Sequence, residues 1–318
     1  MNVALIFFCA LGLTEGSYHP AKDMHASMRQ EMPTDPLKYV QDILASESER
    51  KTDTDAAKIL VVGDSWANVV GTFGPLPSFL ERRLTNHSCK AATTSIAIPG
   101  TESGDWASAA FMSALKLAAK GRDYVFIVLM GNDALDKMPD CADEKKTSAE
   151  CGDQLFATAV PNMYKIVDAV HEANPTARVV GFGYDTMFGG LGCSLVTHDL
   201  FPQCWGKEGG GNRCFNTQFL RIQDVWDTMA ANRSFVDSAS ILGATQVAGG
   251  DTKASTDPKN RHIDMDKQGP AQYWPDYLGC FHPGVLGAQP GAEVVMEEFY
   301  KVYWSKQPMC TGKTGVVV

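Results

Sequence analysis

Short apolar runs alternate with longer segments of helical periodicity between residues 58 and 304. Turn-forming residues bound each apolar run, which predicts a short strand, and each amphipathic segment between the runs predicts a helix. The predicted strands are KILVVG (58–63), TTSIAI (93–98), DYVFIVLM (123–130), ARVVGFGYD (177–185) and SFVDSASI (234–241). The predicted helices are PSFLERRL (77–84), WASAAFMSALKLAAK (106–120), 155–172, FNTQFLRIQDVWDTMAA (215–231) and GAEVVMEEFYKVYW (291–304).

The alternation of strands and helices predicts an α/β fold with a parallel sheet. The first and third strands are apolar on both faces, which is typical of strands covered by helices on both sides. Pro161 lies within the predicted helix over 155–172, so we expect it near the start of that helix or at a kink. With 318 residues and 44% hydrophobic residues, the chain is large enough to bury one extensive core.

The N-terminal region differs from the rest in composition. Residues 3–13 are apolar but too few to span a bilayer, and small and polar residues follow, which predicts a secretory signal peptide over 1–17. A buried N-terminal helix or strand is the alternative. Residues 18–57 are polar and charged and predict an arm or a pro-segment, with a short helix near 35–46. The α/β domain is then predicted over 58–305, and a tail over 306–318.

Cysteine content agrees with an oxidising compartment. Eight of the nine cysteines lie beyond the predicted signal peptide, an even number without metal-ligand spacing, and we expect four disulfides. The spacing does not fix their pairing, although Cys141 and Cys151 would close a short loop, and two of Cys193, Cys204 and Cys214 would close another. Two glycosylation sequons begin at Asn86 and Asn232.

Net charge limits the classes of partner. The chain carries a formal charge of −9 and has a pI near 5.3, which argues against a nucleic-acid-binding surface, and no run of Lys and Arg indicates an anionic membrane surface. No motif implies a nucleotide, a metal or an organic cofactor. We expect a monomer without an integral membrane segment.

Candidate catalytic residues follow the predicted strands. Ser65 follows the first strand, Gly100 the second and Asn132 the third, while His282 lies near the C-terminus. Parallel sheets bind ligands beyond the carboxyl ends of their strands, so these loops are expected to meet. A serine needs a base to become a nucleophile, and a developing oxyanion needs neutral donors. Taken singly, such a serine is usually a helix cap and such a histidine a loop residue.

Four sequence blocks carry a resemblance to a known family. GDS at 63–65, PGTES at 99–103, GND at 131–133 and HPGVLG at 282–287 resemble, in order, the blocks of the GDSL/SGNH hydrolases. The resemblance covers about 58–303. It implies a flavodoxin-like three-layer α/β/α sandwich, the SGNH hydrolase fold, that cleaves carboxylic esters of lipids or carbohydrates.

The resemblance also implies residue roles. Ser65 would be the nucleophile and His282 the general base, with the backbone amides of Ser65 and Gly100 and the side chain of Asn132 forming the oxyanion hole. Asp64 and Asp133 would brace their loops. Asp276 would orient the ring of His282, although a backbone carbonyl is an equal alternative.

The chain departs from the family pattern at three positions. Gly279 stands where the family usually has the aspartate that precedes its histidine, Met130 stands at a usual glycine, and Trp66 replaces an aliphatic residue. We expect Trp66 to pack beneath its loop rather than line the acyl site. The missing aspartate keeps a second function open, that of a catalytically impaired glycan- or lipid-binding protein.

Overall fold

The computed structural model describes residues 32–48, 55–72, 78–134, 136–137, 147–186, 211–257, 259–267, 269–270, 289–307 and 310. The strands are β1 (Ala57–Gly63), β2 (Ala91–Ser95), β3 (Tyr124–Val128), β4 (Arg178–Phe182) and β5 (Val236–Ala239). The helices are α1 (Pro36–Ser48), α2 (Ser65–Thr72), α3 (Phe79–Asn86), α4 (Ser103–Trp106), α5 (Ala109–Ala119), α6 (Ser148–Ala173), α7 (Gly211–Asn232), α8 (Ala244–Ala248) and α9 (Gln289–Val302), and a 3-10 turn follows at Trp304–Lys306.

The strands form one parallel sheet in the order β2-β1-β3-β4-β5. In register, Val61 of β1 faces Ser95 of β2, and Gly63 faces Val128 of β3. This strand order is that of flavodoxin-like sheets, in which the chain direction across the sheet reverses between β1 and β3. The carboxyl ends of these two strands therefore flank the crevice in which such sheets bind their ligands.

Helices cover the sheet on both faces. Every residue of β3 and all but Lys58 of β1 are buried, and consecutive side chains of a strand point to opposite faces. The helices pack in two groups, one formed by α1, α4, α5, α6 and α7 and the other by α2, α3, α8 and α9. The predicted α/β fold with a central parallel sheet is confirmed.

The bounds of all five predicted helices differ from those in the structure. The predicted helix over 106–120 corresponds mainly to α5, which begins at Ala109, while Trp106 is the last residue of the separate helix α4. Helix α6 begins at Ser148, because the Thr147 hydroxyl accepts the Glu150 N–H at 3.2 Å and the Glu150 carboxylate accepts the Thr147 N–H at 2.8 Å. Pro161 consequently lies inside the helix rather than near its start.

Part of the predicted N-terminal arm is packed against the α/β domain. Helix α1 lies against α5 and buries Val40, whose side chain is 2% exposed, in the main core. Both Nη atoms of the buried Arg122 donate to the Glu47 carboxylate at 2.7 Å. The predicted signal peptide at 1–17 lies outside the described residues. None of the described helices is both long and apolar enough to cross a bilayer.

A disulfide joins two distant parts of the chain. Cys89, after α3, is bonded to Cys310, which lies in the predicted C-terminal tail. Cys151 and Cys214 are also disulfide-bonded. Cys141, Cys193, Cys204 and Cys280 lie outside the described residues, so the expected pairings around them remain predictions.

Burial of α1 generates a stability prediction. We expect Val40→Ala to lower the free energy of unfolding by about 2 kcal/mol, because the substitution removes buried methyl groups and leaves a cavity. Leu37→Ala on the same helix is the control, since Leu37 is 36% exposed, and it should change stability by less than about 0.5 kcal/mol. Urea unfolding measures both values. If Val40→Ala lowers the free energy of unfolding no more than Leu37→Ala does, α1 is not part of the folded core.

Candidate active site

Ser65 lies at a tight junction between β1 and α2. Gly63 ends the strand with φ of 139°, and a Cβ at this position would lie 1.9 Å from the Val128 carbonyl oxygen, so only glycine fits. The Asp64 N–H donates to the same carbonyl at 3.1 Å. These contacts hold the start of α2 against the end of β3, and they place the half-buried Ser65 at the mouth of the crevice between β1 and β3.

Asp64 occupies the capping position of α2. Its Oδ1 accepts the Trp66 N–H at 2.9 Å, as the side chain of an N-cap residue does. The helix-cap interpretation considered for Ser65 therefore applies to its neighbour. Trp66 is 7% exposed and packs edge-on against Tyr184, with ring centroids 5.3 Å apart, as expected for a residue beneath the loop.

Gly100 lies in a fixed turn after β2. Its φ is 80°, in the left-handed region that favours glycine. The next residue, Thr101, is fully buried, and its hydroxyl donates to the Ile98 carbonyl at 2.8 Å and accepts the indole N–H of Trp106 at 2.9 Å. The Ile98 N–H donates to the Gly63 carbonyl at 2.9 Å, which joins this turn to the end of β1.

Asn132 follows β3 and is only 3% exposed. Its Nδ2 donates to the Thr101 carbonyl at 3.0 Å, directly beside Gly100. An amide nitrogen carries two protons, and this bond uses one of them while fixing the direction of the other. The structure thus brings the loops of Ser65, Gly100 and Asn132 together through direct contacts.

Asp133 joins the loop after β3 to the loop after β2. Its carboxylate accepts the Ser103 N–H at 2.9 Å and the Ser103 hydroxyl at 2.5 Å, at the start of α4. Burial raises the pKa of this carboxyl by desolvating its ionised form. These contacts are those of a residue that braces loops.

Tyr184, after β4, was not among the residues that sequence analysis selected. Its hydroxyl donates to Oδ2 of Asp64 and accepts the Gly131 N–H at 2.9 Å. Burial raises the pKa of Asp64 to about 7, although the hydrogen bond from Tyr184 opposes this rise. A single tyrosine in an apolar strand end carries no recognisable signal, so only the structure identifies this contact.

Asp185 is a second residue of these loops that the sequence did not predict. The carboxylate accepts the N–H groups of Thr186, Gly243 and Thr245 at 2.7, 2.6 and 2.9 Å, and so joins the end of β4 to the loop after β5. Burial raises its pKa to about 6, against these hydrogen bonds. Together with the buried Asp64 and the half-buried Asp133, this residue completes a set of three carboxyl groups in the loops at the carboxyl edge of the sheet.

Met130 is one of the three departures from the family pattern. Its φ is 89°, a conformation that favours glycine, although its side chain is fully buried. At the next position, a Cβ on Gly131 would lie 2.8 Å from the phenol ring of Tyr184. Position 131 therefore requires a glycine to leave room for the Tyr184 ring. Position 130 has a left-handed backbone although its residue is a methionine.

His282, Asp276 and Gly279 lie outside the described residues. The identity of the general base and the group that orients it therefore remain predictions. Within the described ranges, no cluster of three or more His, Cys, Asp and Glu side chains is arranged to hold a metal ion.

The buried carboxyl groups predict a pH dependence of stability. A folded-state pKa above the unfolded value means that the native protein binds more protons, so stability falls as pH rises through the folded pKa. Between pH 5 and 8 we expect the free energy of unfolding to fall, and Asp64→Asn to reduce this fall by on the order of 2 kcal/mol.

Urea unfolding at a series of pH values measures this effect. Asp251→Asn is the control, because a backbone hydrogen bond from Lys253 lowers the pKa of Asp251, so this carboxyl does not titrate between pH 5 and 8. If the free energy of unfolding of Asp64→Asn falls with pH as steeply as that of the wild type, the raised pKa of Asp64 is contradicted.

Comparison with known proteins identifies the family. The model of the GDSL-like lipase/acylhydrolase family matches residues 61–289, more than half of the chain. No curated protein sequence matches significantly.

Solved structures resemble this one at low sequence identity. A structure from Streptococcus pneumonia described as a putative platelet activating factor has 14% identity and a TM-score of 0.49, and the match covers 88% of this chain and 97% of that one. The lipase Lip_vut3 from a goat rumen metagenome has 12% identity and a TM-score of 0.47, with 79% and 99% covered. An acetyl xylan esterase from Geobacillus stearothermophilus has 13% identity and a TM-score of 0.39, with 77% and 97% covered.

The family match confirms the resemblance seen in the four sequence blocks. The chain belongs to the GDSL-like lipase/acylhydrolase family, a family of carboxylic ester hydrolases.

Proposed function

We propose that the protein is a secreted serine esterase that forms an acyl-enzyme on Ser65. The observation that carries this proposal is the contact of Asn132 with Thr101, which fixes an uncharged amide donor beside Gly100 in the crevice that Ser65 adjoins. Neutral donors held in place before the reaction are what an acyl-transfer site needs. Helix capping does not account for Ser65, since Asp64 accepts the Trp66 N–H.

The proposed reaction has two halves. The Ser65 hydroxyl attacks the ester carbonyl carbon and gives its proton to His282, while the N–H groups of Ser65 and Gly100 and the Asn132 side chain stabilise the oxyanion. The tetrahedral intermediate then collapses, and the leaving alkoxide takes the proton from His282. Water attacks the acyl-enzyme by the same path, which releases the acid and restores Ser65. Asp276 would orient His282.

The proposed substrates are acyl or acetyl esters of lipids or carbohydrates. Secretion is supported by the apolar segment at 3–13 and by the disulfide between Cys89 and Cys310, because such bonds persist mainly in oxidising compartments. The sequon residues Asn86 and Asn232 are exposed at the ends of α3 and α7, where glycans would not disturb the core. We expect the protein to act as a monomer.

Ser65→Ala tests the nucleophile. We expect it to abolish both hydrolysis of p-nitrophenyl esters and labelling by a fluorophosphonate, with an unchanged thermal unfolding midpoint, because the alanine has no hydroxyl to acylate. Peptide mapping of the wild type should place the adduct on Ser65. A folded wild type that neither reacts with the probe nor turns over esters from acetate to palmitate would instead support the glycan- or lipid-binding alternative.

Asn132→Ala tests the oxyanion donor. We expect kcat to fall by about 10²- to 10³-fold with little change in KM, because the donor acts mainly on the transition state. Asn174→Ala is a matched control, because Asn174 is also buried and lies before β4, at the amino ends of the strands. Its Nδ2 donates to the carbonyls of Ala119 and Arg122, which precede β3. The control should lose stability but keep its kcat. Equal kcat losses in both variants would overturn the assignment of Asn132.

A further inference from the structure

Tyr184 lies between the two loops that carry the proposed nucleophile and oxyanion donor. Its hydroxyl bonds Asp64, directly before Ser65, and the backbone N–H of Gly131, directly before Asn132. The tyrosine itself comes from a third loop, after β4. One hydroxyl therefore connects the ends of β1, β3 and β4.

Packing fixes the position of this ring from several sides. Tyr184 is 2% exposed, and its ring contacts Trp66 edge-on and Phe219 of α7 at 5.5 Å between centroids. On the side of β3, the absence of a side chain at Gly131 leaves room for the ring. The hydroxyl consequently has little freedom to move away from either partner.

The two hydrogen bonds satisfy groups that are otherwise costly to bury. Asp64 is 1% exposed, and its Oδ1 accepts the Trp66 N–H. Loss of the tyrosine hydroxyl would leave Oδ2 of Asp64 without this donor and the Gly131 N–H without this acceptor. Both loops would then relax, and small displacements of reacting groups reduce turnover strongly.

We propose that Tyr184 is a positioning residue for ester hydrolysis: its hydroxyl holds the Gly131–Asn132 backbone against the Asp64–Ser65 turn. This role rests on the proposed function of Ser65 and Asn132. The contact fixes the separation between nucleophile and oxyanion donor, although the tyrosine touches neither the substrate nor the reacting atoms.

Tyr184→Phe tests this role in the full chain with its disulfides intact. We expect kcat for p-nitrophenyl esters to fall about 10-fold or more while KM changes less than about twofold, because only transition-state alignment is lost. The inactivation rate by a fluorophosphonate should fall with kcat, since this reagent also needs an aligned Ser65.

Tyr303→Phe is the matched control. Tyr303 is also buried, and its hydroxyl donates to the Asp237 carboxylate at 2.8 Å, near the start of β5 and so at the opposite edge of the sheet. The substitution removes the same kind of bond, and we expect it to lower stability without lowering kcat. If kcat falls in Tyr184→Phe but not in Tyr303→Phe, the loss therefore comes from the place of the Tyr184 hydrogen bonds beside the proposed site and not from the loss of a buried hydrogen bond in general.

Gly131→Ala breaks the same contact from the other side. The added Cβ would displace the Tyr184 ring, so this variant should reproduce the kcat loss and unchanged KM of Tyr184→Phe. The double variant should lose no more activity than the larger single loss, as expected for two changes in one contact. If Tyr184→Phe does not fold, Gly131→Ala provides the test alone.

The outcomes separate this role from the proposed function. A folded wild type without ester turnover or fluorophosphonate labelling would overturn the proposed function and this role with it. An active wild type with the same kcat in Tyr184→Phe and Tyr303→Phe would overturn the positioning role alone, as would a rise in KM at constant kcat. A selective loss of kcat in both Tyr184→Phe and Gly131→Ala would support it.

Discussion

The close approach of β1 to β3 at Gly63 is the constraint on which the site depends. The Val128 carbonyl occupies the space that a side chain on residue 63 would need, and it accepts the Asp64 N–H. The turn into α2 therefore begins at the sheet edge without a connecting loop. Ser65 consequently has its position set by the buried core of two central strands, which is the most rigid support available in such a fold.

Buried carboxyl groups extend this support to the neighbouring strand ends. Asp64 connects β1 to β4, Asp133 connects the loops after β3 and β2, and Asp185 connects β4 to the loop after β5. Each accepts backbone N–H groups that would otherwise be unsatisfied beneath the site. Burial raises the pKa of all three, because desolvation destabilises the ionised form of each carboxyl group.

The sequence predicted the features that depend on local pattern. The apolar runs of β1 and β3 predicted the central strands, and the residues after β1, β2 and β3 predicted that these three loops meet at the carboxyl edge. The start of α6 also had a local signal, since Thr147 and Glu150 have the spacing of a capping box. The packing of α1 was not predicted, because residues 18–57 resembled a polar arm, although Val40 lies in the core and Ile43 and Leu44 pack against it.

Tyr184 illustrates why part of the site was beyond sequence reasoning. Its two partners precede it by 120 and 53 residues, and the contact exists only after three strands have paired. The unusual order of Met130 and Gly131 was visible as a departure from the family pattern, but its cause was not. A glycine at position 130 would relieve the left-handed backbone, whereas the glycine at position 131 makes room for the phenol ring. The packing of Tyr184 against the loop after β3 therefore explains the glycine at position 131, whereas at position 130 the chain has a methionine whose buried side chain belongs to the core despite its left-handed backbone.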